Sequence, residues 1–253
     1  MSTMNTLSEW FSTPPGKYLL ECEQALFDHS VADIFGYNAI QFGLAEHDFL
    51  RASRMPLRVT AGDETGVQVR LDAEELPFGC CSLDLVILPH VLEFHPHPHQ
   101  ILREVVRVLR PEGNVIISGF NPHSLWGARR ALGAQMNYPW CGNFIALPRL
   151  KDWLALLGLN VITGRFACYA PPLSNPNWLN RFHFMEPAGD RWWAVWGGVY
   201  FLQAIKHVSG MHLIKPRWNE GLVGKLIPAT PKLNREISQC TAQNPEGRTI
   251  HNE

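Results

Sequence analysis

The sequence lacks any apolar run long enough to cross a membrane, and it has no surplus of charge of either sign. Its most apolar stretch, residues 192–205, is shorter than the roughly 20 residues that a spanning helix needs, and Arg191 and Lys206 bound it. A net charge of −1 at pH 7 provides no electrostatic footprint for a nucleic acid or an anionic membrane. We therefore expect no transmembrane segment and no nucleic-acid partner.

Export signals and cysteine motifs are missing as well. Residues 1–10 contain neither the basic stretch nor the apolar core of a secretion signal. The six cysteines form no C-x-x-C pair, which favours reduced thiols over a disulfide framework. No G-x-x-x-x-G-K-[ST] motif occurs, which excludes a P-loop nucleotide hydrolase. These absences predict a cytoplasmic protein.

Strand and helix patterns alternate along most of the chain. The clearest helical pattern follows Pro98, where Ile101, Leu102 and Val105 form one apolar stripe. Such alternation predicts an α/β fold with a doubly wound, mostly parallel sheet, whose ligands lie at the carboxyl ends of the strands. The predicted strands are residues 38–43, 57–61, 67–71, 83–88, 114–118, 159–168 and 199–208, and the predicted helices are residues 16–34, 48–53, 98–109 and 148–157.

Composition divides the chain into three parts. Residues 1–36 form a helical N-terminal segment, and residues 37–227 form the main domain. Residues 228–253 are polar and rich in Pro, Asn and Gln, which predicts a disordered tail. Two stretches of the main domain, near residues 121–147 and 169–196, are predicted inserts rich in large side chains. They form either a lid over a binding site or ordinary core packing.

Three motifs follow one another in the middle of the chain at a recognisable spacing. They are V-R-L-D-A-E-E-L-P-F at residues 69–78, S-L-D-L-V-I at 82–87 with V-L-E at 91–93, and L-R-P-E-G-N-V-I-I at 109–117. This run resembles the central part of class I S-adenosylmethionine-dependent methyltransferases of the type 11 group. The resemblance implies a Rossmann-like sheet, an antiparallel last strand near residues 199–208, S-adenosylmethionine as cofactor and a small-molecule methyl acceptor.

The resemblance also implies where the cofactor binds. Adenine is expected beside Asp72 and Ala73, although Asp72 could merely cap a short turn ahead of Glu75. The ribose-binding acid has its nearest counterpart in Asp63 or Glu64. The predicted cofactor-binding residues are Gly43, Asp63, Asp72, Ala73, Glu74, Leu88, Pro89 and His90.

The glycine-rich cofactor loop departs from the family pattern. The family ends its first strand in an acid followed by G-x-G-x-G, but the matching residues 41–47 read Q-F-G-L-A-E-H. Only Gly43 remains, and Glu46 and His47 stand where glycine is expected. This resembles a bacterial subset of methyltransferase-like proteins with a degenerate glycine motif. The alternative function is therefore a methyltransferase-fold protein that binds a ligand or a partner without transferring a methyl group.

Histidines are concentrated in residues 90–99. His90 is a candidate general base because unperturbed histidine titrates near neutral pH, but a structural role is equally open. Glu93 either pairs with His90 or is a surface or capping carboxylate. For His95, His97 and His99 no cysteine or second acid cluster completes a set of ligands, so we predict no metal site. No catalytic residue is assigned.

Overall fold

One seven-stranded sheet organises the protein. The structure, a computed structural model, describes residues 6–63, 66–132, 138–172, 186 and 194–207, so the predicted tail lies outside the described residues. The strands are β1 Asn38–Phe42, β2 Leu57–Gly62, β3 Val69–Arg70, β4 Leu83–Pro89, β5 Leu109–Phe120, β6 Leu159–Ala167 and β7 Val199–Lys206. They lie in the order β3-β2-β1-β4-β5-β7-β6.

The predicted parallel sheet with an antiparallel last strand is confirmed. Strands β1 to β5 pair in parallel, whereas β7 is antiparallel to both of its neighbours, β5 and β6. Because the strand order reverses between β1 and β4, loops at their carboxyl ends separate and leave a crevice there.

Helices cover both faces of the sheet because neighbouring residues of a strand point to opposite sides. In β4, Leu85 and Ile87 pack with the N-terminal helices, while Val86 and Leu88 pack with the helices that follow β4 and precede β6. The helices are α1 Leu7–Phe11, α2 Pro14–Ala32, α3 Val91–Phe94, α4 Pro98–Val108, α5 Leu125–Ala131 and α6 Leu147–Leu156. Within the described ranges, no helix has the length and apolarity that crossing a bilayer requires.

Local hydrogen bonds explain where the observed elements differ from the predicted ones. The predicted helix at residues 48–53 is wrong, and turns replace it. The N–H of Leu50 donates to Asp48 Oδ1 at 2.9 Å, and the N–H of Phe49 donates to Gln41 Oε1 at 2.9 Å. Side chains that accept from backbone N–H groups in this way compete with helix formation.

Two strands differ in length from the prediction. Strand β3 has only two residues, because it pairs only with Ala61 and Gly62 at the end of β2. Strand β5 begins directly after α4, at Leu109, and is longer than the predicted 114–118. Its pairing with β4 is irregular, since Leu83 lies opposite Leu109 but Leu85 lies opposite Asn114.

Candidate functional site

A cleft of about 940 Å³ opens at the carboxyl ends of β1, β2, β3 and β4. This volume lies within the range of roughly 300–1,000 Å³ that is typical of small-molecule sites. Helix α1 forms one wall through Leu7, Ser8 and Glu9. Six of the eight residues predicted to bind the cofactor line the cleft: Gly43, Asp63, Asp72, Ala73, Pro89 and His90.

The other two predicted residues lie outside the cleft. Leu88 is fully buried in the core, because alternation along β4 turns it toward α4. Glu74 instead contacts the histidine-rich segment, where its Oε1 lies 3.0 Å from His97 Nδ1 and 3.1 Å from His95 Nδ1. These two side chains therefore make contacts within the protein and do not line the cleft.

Asp72 caps a short turn and also borders the cleft. Its Oδ1 accepts from the N–H of Glu74 at 2.9 Å, so it does cap a short turn. It is also exposed and lines the cleft beside Ala73. The cap holds the turn in place, and the remaining carboxylate oxygen can accept a hydrogen bond from a ligand.

The loop after β1 turns sharply at its one remaining glycine. Gly43 and Leu44 both have left-handed backbones, with φ of 72° and 47°. Glycine adopts this conformation freely, whereas leucine does so only under constraint. A Cβ atom on Gly43 would approach Val91 Cγ2 at 3.6 Å, so a side chain there would project into the cleft next to Val91.

Leu44 and Glu46 of this loop differ in how far their side chains are exposed. Leu44 is buried, with 2% of its surface exposed, whereas Glu46 is exposed and borders the cleft. The turn at residues 43–44 thus leaves Glu46 at the solvent-exposed edge of the cleft, at a position where the family has glycine.

The sequence motifs did not indicate that Gln41 is the centre of this loop. Its fully buried side-chain amide donates from Nε2 to the carbonyl oxygens of Gly43, Leu44 and His47 at 3.2, 3.3 and 2.7 Å. Its Oε1 accepts from the N–H of Phe49 at 2.9 Å. One side chain therefore closes residues 43–49 around itself.

A buried group of charged residues lies beneath the cleft and consists of Glu23, His90 and Glu93, called here the buried triad. His90 Nε2 lies 2.9 Å from Glu23 Oε1 on α2, and His90 Nδ1 lies 3.0 Å from Glu93 Oε2 on α3. Glu93 Oε1 also accepts from the N–H of Phe120 at the end of β5. The triad thus joins the N-terminal segment to two strand ends at the cleft.

The charges of the triad determine its protonation. Burial alone would lower the pKa of His90, but the charges and hydrogen bonds of Glu23 and Glu93 outweigh it and raise the pKa to about 10. Burial raises the pKa of Glu93, an effect that the hydrogen bond from His90 partly offsets. His90 is therefore an imidazolium at neutral pH, with both nitrogens held by carboxylates.

This arrangement decides between the two roles considered for His90. A general base needs a nitrogen lone pair that faces its substrate, and His90 has neither nitrogen available. The interpretation of Glu93 as a surface carboxylate is also wrong, because Glu93 is 3% exposed. Glu23 was missed, although its sequence position carried a signal: it is a charged residue on the apolar stripe of α2 between Leu19 and Phe27.

The other histidines of residues 90–99 contact a carboxylate or an aromatic ring. His95 and His97 share Glu74 Oε1, as described, and the ring of His99 lies 3.8 Å from the ring of Trp153. Among the described residues no group of three His, Cys, Asp or Glu side chains is placed to hold a metal ion.

In the first insert, residues 121–147, the described side chains pack against one another. The second, residues 169–196, lies largely outside the described residues. The guanidinium groups of Arg129 and Arg130 lie 5.2 and 5.1 Å from the rings of Trp140 and Phe144. Trp126 is fully buried and donates to the carbonyl of Ala170 at 2.9 Å. Core packing therefore accounts for Trp126, Trp140 and Phe144 of the first insert, whereas Tyr138 lines the cleft.

Comparison with known proteins connects this fold to a family. Residues 51–117 match the family model described as a methyltransferase domain. The chain is 31% identical over 156 residues to YafS of Escherichia coli (strain K12), which covers 60% of this chain and 65% of YafS. It is 37% identical over 84 residues to the malonyl-[acyl-carrier protein] O-methyltransferase of Haemophilus ducreyi, covering 33% and 30% of the two chains. The chain thus spans less than two thirds of either relative.

A solved structure shows the same architecture. An S-adenosylmethionine-dependent methyltransferase of Thermotoga maritima matches with a TM-score of 0.54 and 17% identity, over 75% of this chain and 88% of that chain. At this identity the likeness concerns the fold. Thus residues 51–117 match a methyltransferase domain, and the sheet with its antiparallel last strand has the fold of a solved S-adenosylmethionine-dependent methyltransferase.

Proposed function

We propose that this protein is an S-adenosylmethionine-dependent methyltransferase that acts on a small molecule. The observation that carries the proposal is that one cleft collects six of the eight residues that sequence reasoning assigned to the cofactor. Those residues come from four different loops and are spread over residues 43–90, so their convergence is a property of the folded chain.

The residues present fit this cofactor. Exposed carboxylates at Asp63 and Asp72 can accept hydrogen bonds from ribose hydroxyls and from the adenine amino group. The backbone at Gly43 lies open to the cleft and can meet the amino-acid part of the cofactor without a side chain between them. When bound, the cofactor supplies an electrophilic methyl group, and the chain contributes orientation and exclusion of water.

Two aromatic residues of the cleft lining suit an acceptor with an apolar part. Phe94 and Tyr138 line the cleft with their rings 5.2 Å apart, and α1 closes it from the N-terminal side. Half-buried aromatic side chains of this kind provide apolar contact area for a small ligand. We accordingly propose a small-molecule acceptor, with no nucleic-acid partner and a cytoplasmic location, as the near-neutral charge and the cysteine pattern suggest.

Calorimetric titration with S-adenosylmethionine and S-adenosylhomocysteine tests the proposal. We expect saturable binding of one molecule of either compound per chain. Binding of neither compound by the folded protein would exclude the proposed cofactor. Binding of both without methyl transfer to any of a broad panel of acceptors would support the alternative, a ligand- or partner-binding protein that has kept the cofactor site.

Replacing Asp72 with alanine should weaken cofactor binding by about 1–3 kcal/mol, because the substitution removes a carboxylate that accepts a hydrogen bond from the ligand. Asp152→Ala removes another exposed carboxylate, on α6, and should leave the affinity unchanged. Circular dichroism checks that loss of the cap has not unfolded the turn. Equal affinities for Asp72→Ala and the wild type would remove Asp72 from the site.

Replacing Glu46 with glycine should tighten cofactor binding. Glu46 borders the cleft near the expected position of the cofactor carboxylate, and removing like-charge repulsion there is worth about 1 kcal/mol. Glu46→Gln removes the charge but keeps the side chain and the backbone preference. If both variants bind equally well and more tightly than the wild type, charge is the cause; if neither changes the affinity, Glu46 does not face the ligand.

A further inference from the structure

We propose that Gln41 is a positioning residue for the cofactor: its buried amide holds residues 43–47 in the conformation that binds, in place of the missing glycines. The inference rests on the proposed function, since it concerns the same cleft. The family resemblance places an acid at the end of the first strand, and this chain has an uncharged amide there.

The hydrogen bonds require an amide in one orientation. Three carbonyl oxygens face Nε2, and one backbone N–H faces Oε1. Nε2 has two hydrogens, so one serves His47 at 2.7 Å and the other is shared by Gly43 and Leu44 at 3.2 and 3.3 Å. A carboxylate has no hydrogen to donate and would place its charge against three carbonyl oxygens.

The direction of the loop's N–H groups follows from these contacts. In a planar trans peptide the C=O and the next N–H point in opposite directions. Because the carbonyls of Gly43 and Leu44 point to Gln41, the N–H groups of Leu44 and Ala45 point away from it. Successive N–H groups at a left-handed turn form a concavity that binds anions, such as the carboxylate of an amino-acid ligand.

The same amide explains how leucine tolerates the left-handed conformation at position 44. A non-glycine residue keeps such a backbone only where its surroundings impose it. Here the carbonyls on both sides of the Leu44 Cα atom are held by Gln41 Nε2, and the Leu44 side chain is buried. Glycine's freedom is replaced by a side chain that fixes the turn.

Titration of Gln41 variants with S-adenosylhomocysteine tests this inference. At about pH 8 we expect Gln41→Glu to bind about tenfold or more weakly than the wild type, because the carboxylate cannot donate. At about pH 5.5 part of the affinity should return, because burial favours the protonated acid, which can donate one hydrogen bond. Gln41→Met lacks both donor and charge and should bind weakly at both pH values.

Gln203→Glu is the matched control. Gln203 also donates from its amide, to Asn114 Oδ1 at 3.0 Å, but it lies on β7 away from the cleft. It should bind like the wild type at both pH values. Wild-type affinity in Gln41→Glu and Gln41→Met would overturn the inference while leaving the proposed function intact, whereas a wild-type chain that binds no ligand would overturn both.

If the Gln41 variants do not fold, hydrogen exchange in the wild-type protein still tests whether the Gln41 amide is held in place. The side-chain amide protons of Gln41 should exchange slowly, and slower still with S-adenosylhomocysteine bound, while those of the exposed Gln68 should exchange rapidly. Gln41 protons that exchange as fast as those of Gln68, or whose exchange ligand binding leaves unaltered, would contradict a positioning role.

Discussion

Replacing His90 with leucine should lower the free energy of unfolding by about 3–5 kcal/mol. The substitution leaves the carboxylates of Glu23 and Glu93 buried without the cation between them, and uncompensated buried charges are among the most destabilising changes known. Denaturant unfolding followed by circular dichroism measures the effect. His123→Leu, at an exposed histidine after β5, should change stability by less than about 0.5 kcal/mol.

A second variant shows whether charge is the cause. His90→Leu combined with Glu23→Met removes one of the two unpaired carboxylates and should be more stable than His90→Leu alone. If the midpoint of denaturant unfolding is the same for His90→Leu and the wild type, the buried triad contributes nothing to the free energy of unfolding.

The His90→Leu substitution should also change how the free energy of unfolding depends on pH. His90 has a pKa of about 10 in the folded protein, above its ordinary value of about 6.5, so folding favours the protonated ring. Its contribution is fully present below about pH 6.5 and is lost as the pH rises through about 10. The wild type should therefore lose stability over this range, and His90→Leu should lose less.

Replacing Gly43 with valine should abolish cofactor binding in the calorimetric titration. A β-branched residue is strained at a φ of 72°, by roughly 1–3 kcal/mol, and its methyl groups would extend toward Val91 inside the cleft. Both effects act at the loop that we propose approaches the ligand. Thermal unfolding should show the strain as a lowered melting temperature.

Gly158→Val separates strain from obstruction of the cleft. Gly158 has a φ of 77°, follows α6, and has no atom within 4 Å of an added Cβ. It should lose similar stability but keep its affinity. If Gly43→Val folds and binds like the wild type, residues 43–47 are not the cofactor loop and the placement of the site is wrong.

Much of the fold was predictable because it depends on short, local patterns. The buried run of β4 and the amphipathic stripe of α4 each repeat with the period of their own element. The motif at residues 69–78 indicated where the cleft would lie, because a ligand in such a sheet binds at strand ends. The secondary-structure prediction was wrong where side chains accept hydrogen bonds from backbone N–H groups, as at residues 48–53.

The sequence by itself determined the order of the elements, the family resemblance and six of the residues that line the cleft. Only the tertiary structure decided what holds those residues in place. Glu23 and His90 are 67 positions apart, and no local pattern connects them. A buried polar group must find its partner wherever the fold provides one, since leaving it unpaired costs several kcal/mol. For the same reason the role of Gln41 depends on carbonyls that turn inward only after the loop has closed around it.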